Sequence, residues 1–364
     1  MRNDRINFIK NILDYSVYLK EGETVYINYY GEKNEIIDLM VEEIKKRNCK
    51  CFINAYSKKE HYDEIMSSDE EYWRRKLSSE LDKLSQSDVY ISLMGDAEIE
   101  SNDLEYLRKL AIYKREYYKE FRDYRLKKCR WLGLRLPIKS LAVKHGMSLE
   151  EFEEYYYRVC GLDYKELYRL NEDYRKLVAA TNEIVVDSRD TSIVFRKNGI
   201  GAVTLCGNKN LPDGEIYTAP LRTGVDGHIL YNTSSMQDGF EFKKIFLRFK
   251  SGVIEEYKTN NDRLFEKIIS SDEGSRSIGE LAFGINPMIT TPCGIILYDE
   301  KMYGSIHTAL GQCYSDTYNG NNSELHWDLV KFFDDEDNKG VVYFDGQNII
   351  ENGKINYSKV RRLI

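Results

Sequence analysis

Proline is scarce, 5 residues in 364, and no stretch of about 18 consecutive apolar residues occurs. The first excludes a proline-rich spacer between domains. The second leaves no candidate for a membrane-spanning helix. Seven cysteines are scattered (Cys49, Cys51, Cys129, Cys160, Cys206, Cys293 and Cys313) without a C-x-x-C pair. The Cys49-Lys50-Cys51 spacing suits neither a zinc knuckle nor a thioredoxin motif, so reduced, mostly buried thiols are expected. Glycine-rich phosphate loops are also missing. The turn after the first strand-like run, Tyr29-Tyr30-Gly31-Glu32-Lys33-Asn34, lacks G-x-G-x-x-G, and Gly353-Lys354 runs into Ile355 rather than completing a P-loop.

What is present describes a soluble globular chain: 42% hydrophobic and 31% charged residues, with length enough for two domains. A formal net charge of -7 disfavours a general nucleic-acid partner and favours solubility. The first residues, MRNDRINFIKNILDYS, are amphipathic, with charges throughout and no apolar signal core, so a cytoplasmic location without membrane association is expected. Tyrosine, at 29 residues, is read as a compositional trait.

Ile6, Ile9, Leu13 and Val17 form a helical stripe that ends before the β-rich run TVYINYY at 24–30. A second stripe at 36–44, the run CFINAYS at 51–57, a helix carrying Trp73, Leu77, Leu81 and Leu84, and DVYISLMG at 88–95 follow. Strand and helix alternate, which predicts βαβ units and a parallel sheet. Residues 103–130 read as a long helix in which lysines and arginines alternate with tyrosines. Such a helix could grip a phosphate backbone, but Glu105, Glu116, Glu120 and Asp123 dilute it, and a solvated face with packed tyrosines is the favoured reading. Another strand is expected at 131–137, a helix opened by Ser148 with Glu151 at the capping-box position, and a further helix to about 182.

From Glu183 the pattern changes to short period-2 segments separated by Gly, Asn and Asp, including a hairpin at 244–258 that turns at Ser251-Gly252. The expected organisation is an α/β domain over 1–185 with a mainly parallel sheet, followed by an α+β metal-binding domain over 186–364 with a largely antiparallel sheet.

Residues 300–330 concentrate the chemistry. His307 and His326 are two of the five histidines, and His326 opens His-Trp-Asp. On a strand, His326 and Asp328 share one face. Imidazole with carboxylate suits a divalent metal, so a metal site is the first hypothesis. The Gly-, Asn- and Ser-rich stretch between the histidines reads as a loop. Two further carboxylates lie in apolar surroundings: Glu215 in LPDGEIYTAP and Glu280 in SRSIGELAFG. Burial of either needs a positive partner, which a metal could supply, with Arg276 the rival for Glu280.

The ordered set P-D-G-E-I-Y-T-A-P, I-G-E-L-A-F-G, G-S-I-H-T-A-L-G with a tyrosine seven residues after the histidine, and H-W-D closely resembles the M29 family of metallo-aminopeptidases. The resemblance runs from Glu215 to Asp328, with softer similarity at LPIKSLAVKHGMSLEEFEEYYYRVCGLD. It implies that Glu215, Glu280, His307, His326 and Asp328 are metal ligands and Tyr314 an active-site tyrosine. The glutamate that the family usually carries shortly before its first histidine corresponds here to Glu300, seven residues ahead of His307. The loop between the histidines is shorter than in well-known members, which bears on substrate preference. The resemblance further implies a homodimer and loosely selective divalent binding.

Such a residue set suits two divalent ions, Zn, Co, Mn or Mg, that activate a water against the first peptide bond of a substrate with a free N-terminus. Glu215 is the expected proton shuttle and Tyr314 the hydrogen-bond donor to the oxyanion. Two other readings stand beside this one: a different metal-dependent amidohydrolase using the same cage, and a non-catalytic α/β binding protein in which these groups form an ion-pair network.

Overall fold

The computed structural model describes residues 2–32, 34–96, 99, 101, 103–334 and 336–364. They form two compact units. One runs to Gly161 and takes in Gly207–Leu211; the other comprises Leu162–Cys206 and Pro212–Ile364.

The first unit is an α/β layer. Its parallel sheet has the order Lys50–Tyr56, Thr24–Tyr30, Val89–Met94, Arg130–Arg135 and Asn210–Leu211. Helices intervene at Glu35–Lys45, Lys58–Ser67, Glu70–Ser85 and, with a π turn at Lys114–Tyr118, from Leu104 to Lys128. Side-chain caps start them: Asn34 accepts from the Ile36 N–H, Ser57 and Glu60 form a capping box, and Asp69 accepts from the Tyr72 N–H. Strand alternation gives the sheet two unlike faces. Val25, Ile27, Val89, Ile91 and Leu93, with Tyr29 beside Leu93, make one face buried and mainly aliphatic. The other carries Tyr26, Asn28, Tyr30, Tyr90 and Ser92, with Tyr26 and Tyr90 stacked at 5.5 Å and packed with Trp73, Tyr117 and Phe121. On the long basic helix Tyr106 and Tyr117 are buried, while Arg115 pairs with Glu70 and Glu116 and Arg122 with Asp123. The packed-tyrosine, solvated-charge reading of that helix is what the structure contains. The helix Leu149–Cys160 begins with the Ser148–Glu151 capping box.

The second unit is α+β. An eight-stranded antiparallel sheet has the order Val253–Lys258, Ile245–Lys250, Val225–Tyr231, Thr191–Arg196, Glu183–Ser188, Gly340–Phe344, Gln347–Glu351, Lys354–Ile355. The hairpin turn at Ser251 and Gly252 has φ of 48° and 79°, the left-handed pair of a type I′ turn. A second antiparallel sheet has the order His326–Lys331, Ile306–Gly311, Ile278–Gly284, Glu215–Thr218, Val203–Leu205. The two sheets pack face to face: the Tyr231 hydroxyl lies 2.6 Å from Thr308 Oγ1, and the rings of Phe283 and Phe344 are 5.2 Å apart. The helix Tyr164–Ala180 belongs to this unit because Tyr174 packs on Phe283 and Phe344. The unit therefore starts ahead of the change in sequence character at Glu183. Among the described residues no helix is long and apolar enough to cross a membrane.

Candidate metal centre

The smaller sheet of the second unit presents the candidate residues on the face opposite the one that packs on the larger sheet. Register sets this. Gly311 stands opposite His326, Ala309 lies between Glu280 and Asp328, Ala282 between His307 and Tyr217, and Gly284 opposite Glu215. Each chemically active side chain thus has a small neighbour across the ladder, which leaves room above the sheet. A register shift between Ile278 and Glu280, a β-bulge, aims Glu280 into this space. Trp327 points the other way, buried, with its indole N–H donating to Ser235 Oγ at 2.8 Å.

Three groups of donor atoms lie close enough to hold an ion, each with its atoms within 4.8 Å of one another: Glu215, Glu280 and His307; Glu280, His326 and Asp328; and Glu300, His307 and Asp328. Glu280, His307 and Asp328 each belong to two groups. His307 Nε2 is 3.3 Å from Glu215 Oε2 and 3.5 Å from Glu280 Oε1; His326 Nε2 is 3.7 Å from Glu280 Oε2 and 3.5 Å from Asp328 Oδ1. All six residues expected from the sequence are therefore brought together. His326 is also oriented: Nδ1 lies 3.1 Å from the Gln312 carbonyl and donates to it, which leaves Nε2 as the lone-pair nitrogen facing the carboxylates.

Local anchors hold these strands in place. Asn319 donates to the carbonyls of Pro220 and Ile278, and Asn321 to those of Gly274 and Gly311. The Asn-rich loop between the histidines is thus pinned from within. Asp272 accepts from the backbone N–H groups of Gly274, Ser275 and Glu324 and from the Ser323 hydroxyl, fixing the approach to His326. Tyr314 sits at the rim with its ring 5.3 Å from that of His326 and 5.2 Å from that of Tyr217.

Sequence reasoning missed Lys301. It is 2% exposed, and its Nζ lies 2.6 Å from Glu215 Oε1, 2.9 Å from Glu300 Oε1 and 4.0 Å from Asp213 Oδ1. Burial alone would lower its pKa, but Glu215, Glu300 and Asp213 outweigh that and hold it charged. The signal that could have found it is the count of charges: a site with this many carboxylates and no arginine needs an internal cation. Arg276, the rival partner considered for Glu280, instead pairs with Glu266 and donates to Ser270 Oγ at 3.0 Å.

The electrostatics are those of crowded anions. Burial raises Glu280, and Glu215 and Asp328 add to the rise. Glu300 is pushed up to about 7 by burial and the neighbouring carboxylates, against the pull of Lys301. For His307, burial acts downward, but the hydrogen bond to Glu280 and the charges of Glu215, Glu280 and Glu300 prevail and push it up to about 9. His326 rises against its own burial, chiefly through Asp328 and Glu280. Desolvation at the Tyr314 hydroxyl, with Glu280, Asp328 and Glu215 nearby, keeps the phenol protonated at neutral pH.

These residues fit a divalent ion on structural grounds. Glu215 Oε2 is buried without a hydrogen-bond partner while Oε1 is engaged by Lys301, so one oxygen is left over, directed at His307. A buried carboxylate oxygen that accepts no hydrogen bond is stabilised by a cation, a part that the His307 imidazolium takes by charge alone and that a metal ion would take as a ligated ion. The donor set of oxygen and imidazole nitrogen, without thiolate, suits Zn, Mn, Co or Mg.

The family described as thermophilic metalloprotease (M29) matches residues 5–354. Aminopeptidase T of Thermus aquaticus is 32% identical over 121 residues, which is 32% of this chain and 29% of that protein. Aminopeptidase AmpS of Bacillus subtilis (strain 168) is 28% identical over 141 residues, 36% of this chain and 34% of that protein. The aligned stretches thus span about a third of these curated relatives. In fold, the chain superposes on wild-type AmpT from Thermus thermophilus with a TM-score of 0.78 and 15% identity, over 98% of this chain and 99% of that one.

Proposed function

This chain belongs to the M29 family of thermophilic metalloproteases, and from that premise we propose that it is a metal-dependent aminopeptidase that removes N-terminal residues from peptides. The observation that carries the reading is the convergence of Glu215, Glu280, His307, His326 and Asp328 on one sheet face, with Glu300 brought over them from the end of the helix Ile296–Asp299, into three overlapping donor groups. We assign these six residues as ligands of a pair of divalent ions, with Glu280 able to serve both. Bound there, such ions would supply Lewis acidity and a water acidified enough to act as nucleophile near neutral pH.

The chain's own groups account for the rest. Lys301 fixes Glu215 through Oε1, so Oε2 keeps one orientation, and it partly neutralises the carboxylates when the site is empty of substrate. We assign to Glu215 the transfer of a proton from the attacking water to the leaving amine. Tyr314, protonated and beside His326, donates a hydrogen bond to the oxygen on which negative charge develops. Carboxylates outnumber imidazoles, so the site favours a substrate ammonium or amine, which restricts cleavage to the first peptide bond. The same reading takes a homodimer as the assembled form, which light scattering of the purified chain checks.

The test is substitution of the His-Trp-Asp pair. His326→Ala and Asp328→Ala are each expected to abolish chelator-sensitive hydrolysis of leucine-p-nitroanilide and to lower bound metal, with far-UV circular dichroism unchanged. Wild-type turnover and metal content in either variant would contradict the assignment. Chelator-resistant hydrolysis would remove the metal from the account, and turnover of N-acetylated peptides would point to a broader amidohydrolase.

A further inference from the structure

We propose that the first unit carries a separate ligand site, a cavity on the aromatic face of its parallel sheet that binds a planar aromatic ring bearing one anionic group. The cavity measures about 430 Å³ and is lined by residues of that unit alone. Its size falls within the range of small-molecule sites.

Its position is the first argument. The sheet order places the strand Thr24–Tyr30 between Lys50–Tyr56 and Val89–Met94, so the chain reverses direction of growth between the first and third strands in sequence. In open parallel sheets ligands bind beside the carboxyl ends of the strands at such a point. Tyr30, Tyr56 and Met94, the last residues of the three strands, all line the cavity.

The sheet face supplies the second argument. Asn54, Asn28 and Ser92 stand side by side across the three strands, and Asn54 Nδ2 donates to Asn28 Oδ1 at 2.9 Å. The opposite face is buried at the equivalent positions in the first and third strands and is aliphatic apart from Tyr29, with no row of amides. A row of amides and a hydroxyl beneath a helical layer is destabilising for packing alone, and it faces the cavity. Trp73, buried in the wall, has an indole N–H with no acceptor among the described residues, an unmet donor for a ligand.

The walls set the ligand class. Tyr56, His61, Trp73, Tyr113 and Tyr117 surround the space, with ring contacts from 4.8 to 5.6 Å among neighbours such as Trp73–Tyr113 and Trp73–Tyr117. Aromatic walls accept a flat ring. They would also suit an ammonium ion, but the protein's own cations already occupy those faces: Lys76 lies over Trp73 at 5.5 Å and over Tyr117 at 5.8 Å, and Arg125 over Tyr90 at 4.6 Å. Glu64, the carboxylate of the lining, is taken by Lys76 and by the Tyr72 hydroxyl. Burial keeps His61 neutral. Arg125 and Lys114 line the cavity and form no ion pair among the described residues. The unspent charge is therefore positive, and Arg125, half-buried with its guanidinium 4.6 Å from the Tyr90 ring, is the better placed to receive an anion.

The experiment is isothermal titration calorimetry of the full chain with four probes: 2-naphthoate, its neutral amide 2-naphthamide, the cation 2-naphthylmethylammonium, and adenosine 5′-monophosphate. At least one anion is expected to bind saturably. Naphthoate binding would identify an aryl carboxylate as the source, and adenosine 5′-monophosphate binding a nucleotide. The neutral amide should bind on the order of tenfold more weakly than the anion, and Arg125→Gln should lower the anion's affinity by a similar factor while leaving the amide unaffected. Lys114→Gln, at an exposed position, carries the same comparison should circular dichroism show Arg125→Gln to be misfolded. The proposal is overturned when neither anion saturates, when the ammonium analogue binds as tightly as the anions, or when folded Arg125→Gln and Lys114→Gln both bind the anion as the unaltered chain does.

Discussion

Lys301 is the residue that balances the charge of the site's carboxylates. Three carboxylates, Asp213, Glu215 and Glu300, surround its ammonium in a fully buried position. Removing one partner from such a cluster leaves uncompensated charge, typically about 3 kcal/mol or more of lost stability. Lys301→Met is therefore expected to destabilise the metal-free protein by about 3 kcal/mol and to lose less when a divalent ion is present to replace the missing charge. Denaturant unfolding with and without Mn or Zn checks this; an equal loss in both states would make Lys301 a packing residue with no link to the metal.

The imidazole of His307 gives a second prediction. Its folded-state pKa of about 9 lies above the ordinary value of 6.5. The ion pair thus stabilises the metal-free protein fully below pH 6.5 and ceases to do so as the pH rises through 9. A metal must displace that proton, and the fraction carried by Glu300 near pH 7. Metal binding at pH 7 should therefore release on the order of one to two protons, and apparent affinity should rise up to about pH 9. Calorimetry in buffers of different ionisation enthalpy measures the release. A pH-independent affinity with no proton release would show that these groups do not take up the ion. The ligands His307, Glu300, His326 and Asp328 were legible from their motifs and spacing, whereas Lys301 was not, because it acts through contacts with positions 213 and 215, far from it in sequence.

At the scale of elements, the site is made by strand register and by small residues beside the active ones. Gly284 shows how tight the fit is. A Cβ there would come within 2.0 Å of the Met302 carbonyl oxygen, in the segment that brings Glu300 and Lys301 over the sheet. Gly284→Ala should force that segment outward, cost roughly 1–3 kcal/mol, and weaken metal binding while leaving the first unit's sheet intact. Metal titration with thermal unfolding tests it, and wild-type affinity in a folded variant would mean that the segment tolerates displacement. Strand existence was readable from the period-2 segments after Glu183, such as the hairpin at 244–258. Their neighbours in the sheet were not, because antiparallel order over distances such as 215 to 284 is fixed by packing rather than by local pattern. The bulge before Glu280 and the asparagine anchors of the 312–325 loop were likewise invisible, although its Gly/Asn composition did mark it as a loop.

At the scale of the molecule, the alternation of strands and helices through residue 95 sufficed for a parallel α/β layer, because crossover helices leave a strong periodic trace. The short strand Asn210–Leu211, which completes that sheet beside Arg130–Arg135, left none: two residues carry no period. The helix Tyr164–Ala180 reads like the helices before it, and only its packing on Phe283 and Phe344 assigns it to the second unit. The central claim, an exopeptidase governed by metal and by the substrate's free amine, concerns the whole catalytic unit. Mass spectrometry of a defined hexapeptide over time, free or N-acetylated and with or without chelator, tests it most directly. A ladder shortened one residue at a time from the free N-terminus, abolished by chelator and slowed on the order of a hundredfold or more by acetylation, is the predicted result. Internal fragments, or equal cleavage of the acetylated peptide, would contradict it.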